Sequence, residues 1–188
     1  MTQNKKVIGV IGSSGSGKSE FCKVASELGY FIIDADDIAH EVLETAAKTE
    51  VLKEFGTINR TKLGMIVFND DFRLKKLMKI TYKYIEKNIE NLINICENNR
   101  IVIDAAELHQ SKLFALCDQI IAVISEKDSQ TSRILIRDQL SLTKAANRLE
   151  HQKDNDFYVS LADVIIENNG TLKELYDSAY LFWSNTTN

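Results

Sequence analysis

The octapeptide Gly12-Ser13-Ser14-Gly15-Ser16-Gly17-Lys18-Ser19 constrains the fold of this chain more than any other stretch of its 188 residues. It follows the apolar run at residues 7–11. It precedes a segment in which Phe21, Val24, Ala25 and Leu28 fall at i, i+3, i+4 and i+7, one apolar stripe of a helix. In a strand–loop–helix context a G-x-x-x-x-G-K-S loop has a specific use. Its glycines let successive backbone N–H groups curl around a phosphate, and the helix behind turns its positive N-terminal end on the same anion. Lys18 reaches the β- and γ-phosphates, and Ser19 offers a hydroxyl to Mg²⁺. A Gly/Ser turn that happens to precede a lysine is the plain alternative. The flanking strand and helix favour a nucleoside triphosphate site over Ser14, Gly15, Ser16, Gly17, Lys18, Ser19 and Glu20.

Four of the eight glycines, Gly9, Gly12, Gly15 and Gly17, sit in or beside this loop, and none lies between Gly64 and Gly170. Tight turns are thus concentrated in one place, and long uninterrupted elements are expected elsewhere. Proline is absent, where average usage of about 5% would give roughly nine; Pro-rich linkers and polyproline ligands are excluded. Continuous apolar runs recur at 31–33, 101–103, 120–124 and 164–166, the pattern of strands covered on both faces. Helical stripes lie between them, among them Ile38, Val42 and Ala46. The alternation predicts an α/β fold: a parallel five-stranded sheet flanked by helices in a three-layer sandwich. A single domain over 1–188 is expected, with a helical insert at about 57–99 and a helical lid at about 127–152.

With 44% hydrophobic residues and a net charge of −4, the chain is globular and carries no basic blanket for nucleic acid. No apolar run reaches the length of a membrane span, and residues 7–11 are too short for a signal-peptide core, so a cytoplasmic protein is expected. Cys22, Cys96 and Cys117 are dispersed and read as reduced thiols. His40, His109 and His151 are scattered too, and nothing has zinc spacing.

The second strand runs into Asp34-Ala35-Asp36-Asp37. Ligands gather at the carboxyl ends of strands in such sheets, and alternate spacing would point Asp34 and Asp36 the same way. One could take a proton from an attacking hydroxyl while the other organises water around the metal. Alternatively, Asp36 or Asp37 caps a helix beginning at Ile38. No guanine-reading NKxD motif is present.

These segments, taken in order, resemble the dephospho-CoA kinase family. Its V-I-D-A-D segment is matched by residues 32–36 and its R-x-x-L-x-x-I/V-V-F stretch by residues 60–68. Gln130, Arg133, Arg137, Ala145, Arg148 and Gln152 match its lid, and residues 162–170 match its closing A-D-x-V/I-I-x-N-N-G. The resemblance covers about nine-tenths of the chain. It implies a P-loop kinase fold and ATP-dependent phosphorylation of the ribose 3′-hydroxyl of dephospho-CoA. Asp36 would be the base, Asp34 its support or the metal's, and Lys18 the cation on the transferring group. Arg133, Arg137 and Asn168 would contact nucleotide, and Arg60, Asp104 and Arg137 would serve the substrate. A solvated face pairing with Asp128 or Asp138 is the other reading of Arg133 and Arg137. Other acceptors, such as a nucleoside monophosphate, and an ATP-dependent binding module without catalysis, are the alternatives.

The match departs in four places. Glu20 replaces a common Thr, Tyr82-Lys83 a frequent His-Pro, and Asp104-Ala105-Ala106-Glu107-Leu108 a D-V-P-L-L segment; Gln110 stands for a common acid. Proline is thereby missing at Lys83 and Ala106, and the helix around residues 80–85 is expected to run on unbroken.

Overall fold

The computed structural model describes residues 5–186 except 69, 140 and 151, so His151 lies outside the described residues. Strands β1 (Lys6–Ile11), β2 (Phe31–Asp34), β3 (Arg100–Asp104), β4 (Gln119–Ile124) and β5 (Val164–Glu167) form one sheet in the order β2-β3-β1-β4-β5. These are the five apolar runs, and the sheet is the parallel one expected. β1 pairs in parallel with β3 and β4, and β4 with β5. The three central strands are buried along nearly their whole length. The two edge strands are not: β5 alternates, with Ile165 44% exposed. Unbroken apolar sequence overstated burial there, because an edge strand is covered less completely than a central one.

The chain forms two compact units. One holds the chain up to Ile33 and from Cys96 onward; the other is Asp34–Ile95.

In the first unit, α1 (Lys18–Glu27) buries Phe21, Val24 and Ala25 of the predicted stripe, with Cys22 added; Leu28, the fourth, caps the helix and is partly buried. These join Ile8, Val10, Val102, Ile121 and Val123 of the sheet in one core. The last helix, α9 (Leu172–Asn185), completes it with Trp183, fully buried 5.0 Å from the Phe21 ring and donating its indole N–H to the Phe21 carbonyl at 3.0 Å. Asp118 and Asp163 accept the backbone N–H groups of Val7 and Ile120 at 2.8 and 2.7 Å, tying the starts of β1 and β4 to the loops that feed their neighbours.

The second unit is helical: α2 (Ala35–Glu44), α3 (Lys48–Phe55), α4 (Arg60–Val67) and α5 (Asp71–Ile95). The stripe expected over Ile38, Val42 and Ala46 holds for the first two; Ala46 falls beyond the end of α2 and is exposed. α5 runs 25 residues through Tyr82-Lys83 without a break, as the missing proline predicted. The Lys83 ammonium binds both Glu50 oxygens at 2.8 Å and Tyr84 donates to Glu50, so Lys83, standing where the family often has proline, and its neighbour Tyr84 tie α5 to α3.

Candidate active site

β1 delivers the chain directly into the glycine-rich loop, and α1 begins at Lys18 immediately after it. Gly15 has φ +77, and a Cβ there would come within 2.7 Å of the Gln130 carbonyl oxygen, so both conformation and close approach demand glycine. The loop is gripped from outside at three successive residues. Gln152 accepts the Ser14 N–H at 2.8 Å and donates to the Ser14 hydroxyl at 3.1 Å. Arg133 donates to the Gly15 carbonyl at 3.1 Å, and the Asn168 amide donates to the Ser16 carbonyl at 2.7 Å. In a planar trans peptide the carbonyl and the next N–H point opposite ways. Holding the Ser16 carbonyl against Asn168 therefore turns the Gly17 N–H away from Asn168.

Arg133 is the hub of this clasp. Its guanidinium also meets the Ser125 hydroxyl at 3.1 Å, the Asn168 carbonyl and side-chain oxygen at 3.0 and 3.2 Å, and the Gly170 carbonyl at 3.3 Å. Partial burial lowers its pKa from the ordinary arginine value. Arg133 therefore does not take the solvated carboxylate pairing weighed from sequence. It and Asn168, itself 4% exposed, hold the loop's shape.

Lys18, the first residue of α1, is ion-paired with Asp104 at the end of β3, and the two side chains are only 11% and 4% exposed. Asp104, expected from sequence to serve the substrate, thus stands in direct contact with the loop lysine. Ser19 and Glu20 are exposed in the first turn of α1, where an acid is favourable to the helix dipole. The Ser13 and Ser16 hydroxyls are buried with no hydrogen-bond partner among the described residues. Such orphaned polar atoms suit a loop shaped for a polar ligand or water. A cleft of about 680 Å³ opens beside Ser13, lined by Lys127, Gln130, Gln152, Lys153, Asn155 and Phe157 among others.

The lid segment forms α6 (Lys127–Asp138) and α7 (Leu142–Glu150), followed by α8 (Asn155–Leu161). Arg137 forks onto Asp138 at 2.7 and 2.9 Å, and Arg148 reaches the same carboxylate at 2.7 Å. The carboxylate pairing foreseen for Arg137 is therefore present. The hydrogen bond to Asp138 raises the Arg137 pKa, and the same bond, with Arg148, holds Asp138 below its usual value.

In the second unit the aspartates are arranged differently from the alternate-strand picture. The helix begins at Ala35, three residues earlier than Ile38, and its cap is Asp34. The Asp34 carboxylate accepts the N–H groups of Asp36 and Asp37 at 2.9 and 3.1 Å. Asp36 and Asp37 are helical and exposed, so neither is the cap. Sequence reasoning missed this because an N-cap belongs one residue before helical geometry starts, and the strand runs straight into α2. Arg60 opens α4 and is exposed.

Gln152 and Gln130 were visible only as letters of a motif. Gln130 is 4% exposed and donates to the Ser125 carbonyl at 2.7 Å, while its backbone walls the loop at Gly15. Nothing in composition or periodicity marks them, since a glutamine on a helix is ordinarily a surface residue.

A parallel sheet whose first strand feeds a G-x-x-x-x-G-K-S loop onto a helix N-terminus, with an ion-paired loop lysine and an arginine-bearing helical segment, defines a P-loop kinase. The dephospho-CoA kinase family model matches residues 6–174. A Fusobacterium nucleatum dephospho-CoA kinase is 32% identical over 185 residues, covering 94% of this chain and 96% of that one. The solved dephospho-CoA kinase of Campylobacter jejuni superposes with a TM-score of 0.64 at 29% identity, covering 96% and 97%. A Thermus thermophilus crystal structure shares the fold with a TM-score of 0.86 at 22% identity over 98% of this chain and 100% of that one. The chain belongs to the dephospho-CoA kinase family. Among the described residues no helix is long and apolar enough to cross a membrane.

Proposed function

We propose that this kinase transfers the terminal phosphoryl group of ATP to the ribose 3′-hydroxyl of dephospho-CoA, in the cytoplasm. The observation that carries the reading is the family match over residues 6–174, which spans the loop, the aspartate segment and the lid. The arrangement of the loop supports the chemistry. Phosphoryl transfer needs positioning and charge stabilisation more than covalent help. Lys18, aimed by Asp104, supplies positive charge to the group in flight. The α1 N-terminus and the Gly17 N–H bind phosphate oxygens.

Mg²⁺ fits the donor set. Ser19 presents a hydroxyl on the first turn of α1, and Mg²⁺ ordinarily takes only one or two protein oxygens beside waters and substrate phosphates. Bound there, it would neutralise charge on the phosphates. The residues themselves do the rest. Asp36 accepts the hydroxyl proton of the acceptor. Asp34 is the positioning residue, since its carboxylate fixes the backbone N–H of Asp36. Arg137, paired with Asp138 at the surface of α6, exchanges that partner for phosphate oxygens, and its fork geometry suits either. Arg60 receives the acceptor. Glu20 stays at the helix surface and leaves nucleotide binding intact.

The test is incubation with Mg-ATP and a panel of acceptors, read by product mass. Dephospho-CoA should gain one phosphoryl group; turnover of a nucleoside monophosphate with none of dephospho-CoA would overturn the proposal. Asp36→Asn should lower kcat by about 10² to 10⁴, the usual contribution of a positioned base, with both substrates still bound. Unchanged turnover would remove Asp36 from the mechanism.

A further inference from the structure

Ser125 stands directly after β4 and is 1% exposed. Its carbonyl oxygen accepts two side-chain amides, from Gln130 at 2.7 Å and from Asn155 at 3.0 Å, and its hydroxyl accepts Arg133 at 3.1 Å. Both lone pairs of that carbonyl are thus spent, on groups from two different helices. Gln130 and Arg133 lie in α6, where the lid segment leaves the sheet. Asn155 is the first residue of α8, where the chain comes back 30 residues after Ser125. Departure and return of the lid are therefore fastened at one atom, at the end of a buried strand. An asparagine at a helix start is ordinarily a cap. Here Asp154 is the cap, accepting the Phe157 N–H at 3.0 Å, and the Asn155 amide is left for Ser125.

The pin matters because of what it holds nearby. Gln152 lies on the connector between α7 and α8, outside both helices, and closes on the Ser14 N–H and hydroxyl. It is three residues from Asn155, at most about 10 Å of extended chain. Gln152 and Asn155, with Gln130, also wall the cleft of about 680 Å³ that reaches Ser13. Ser13 is 5% exposed, and its hydroxyl has no hydrogen-bond partner among the described residues, the condition of a polar atom suited to water. The helix itself does not depend on this bond for its place, since Tyr158 of α8 is fully buried. Loss of the Asn155 amide would also leave the Ser125 carbonyl with Gln130, so no buried acceptor would be orphaned.

We propose that Asn155 is a positioning residue for phosphoryl transfer: by pinning the return of the lid to the Ser125 carbonyl, it holds Gln152 on Ser14 and shuts the cleft at Ser13 against water. This role rests on ATP as donor and dephospho-CoA as acceptor. Water is the competitor of the acceptor hydroxyl in such a site. Its oxygen would bond to the terminal phosphorus as the bond to the β-phosphate oxygen breaks, giving ADP and phosphate while its proton passes to solvent. Asn155 touches neither substrate. It acts through Gln152 and the backbone of the loop, and so governs how often the phosphoryl group goes to water rather than to the acceptor.

The test compares the wild type with Asn155→Ala and with Asn155→Asp, which keeps the shape but has no amide to donate. Ser160→Ala is the control, since it takes from α8 a hydrogen bond to Phe157 that never reaches Ser125. With Mg-ATP, phosphate released per phosphoryl group transferred to dephospho-CoA should rise about ten-fold in both Asn155 variants, the scale on which a small misplacement acts, while Tm holds. Ser160→Ala should match the wild type. In the free enzyme the Ser14 amide should exchange hydrogen faster in both Asn155 variants, with the amides of α8 still protected, a split that a merely structural role would not give. An unchanged ratio, an unchanged Ser14 amide, or equal loosening of α8 would overturn the proposal. A wild type that transfers nothing to dephospho-CoA would instead defeat the acceptor reading beneath it, and the Ser14 amide would still decide the role of Asn155.

Discussion

The Lys18–Asp104 pair couples the glycine loop to the end of β3, and its two charges are among the least exposed in the molecule. Removing one partner of such a pair takes away the opposite charge that offsets the other's desolvation. Asp104→Ala should therefore cost about 3 kcal/mol of stability and reduce kcat, because Lys18 loses its aim. Urea denaturation checks the first effect, and steady-state kinetics the second. Adding Lys18→Ala should recover part of the stability but none of the activity; a double mutant as unstable as the sum of the singles would show that the pair does not interact. Arg133 invites a sharper test. Lysine carries the same charge but cannot reach several acceptors in a fixed fork. Arg133→Lys should raise the KM for ATP several-fold and cost roughly 1–3 kcal/mol, the penalty for leaving buried acceptors unmet. At this scale the sequence located the residues of the glycine-rich loop, because the loop spelling is tied to phosphate physics. It did not show who holds them. Arg133, Asn168 and Gln152 act through backbone atoms of Ser14, Gly15 and Ser16, more than a hundred residues away, and no local pattern encodes such a partner.

Elements were legible in proportion to their periodicity. All five strands and the buried face of α1 were readable from apolar runs, and the continuity of α5 from the lack of proline at Lys83. The start of α2 was not, because strand and helix abut at Asp34 and the turn signal is one residue deep. Proline restored at Lys83 should break α5. Lys83→Pro removes a backbone donor, forces a kink and discards the contact to Glu50. It should destabilise the second unit by about 3 kcal/mol, measured by urea denaturation, and a loss under 1 kcal/mol would mean the helix already bends there. The α6–α7 pair is held instead by Asp138 between Arg137 and Arg148. The depressed Asp138 pKa fixes the sign of its pH dependence. A carboxylate whose folded pKa lies below its unfolded value, about 3.9, contributes fully above that value and loses the contribution as pH falls through the folded pKa. Measured against the intrinsic rate, which itself slows as pH falls, amides of α6 and α7 should thus exchange hydrogen faster below about pH 4 than at pH 6. Asp138→Asn should show the fast behaviour at both. Equal exchange in the wild type at the two pH values would show that the carboxylate does not join the helices.

For the whole molecule, the missing proline has a consequence that no contact reveals. The sheet joins segments far apart in sequence, with β1 paired to strands that begin at Arg100 and Gln119, so pairing must wait for distant chain to arrive. Non-local parallel pairing slows folding through the entropy of closing long loops. In most chains a second delay is superposed, from X–Pro bonds that equilibrate to the wrong isomer in the unfolded state and return over tens to hundreds of seconds. This chain has no X–Pro bond at all. Its unfolded state should therefore not age. Refolding amplitudes should be the same after about one second in denaturant as after about ten minutes, times chosen to bracket prolyl isomerisation, and a prolyl isomerase should accelerate no phase. Any slow phase that survives belongs to assembly of the sheet, and should respond to mutations in β1, β3 and β4. The free thiols sharpen the experiment rather than confuse it. Burial, aided by the Asp118 carboxylate, pushes the Cys117 thiol up to about 12, so it stays protonated and unreactive at neutral pH in the native state. Thiol labelling during refolding then reports when the loop that leads into β4 closes. Cys117 should be modified in denaturant and become protected in step with the slowest phase. Protection before that phase, or a slow phase that grows with time spent unfolded, would show that something other than strand pairing limits the fold.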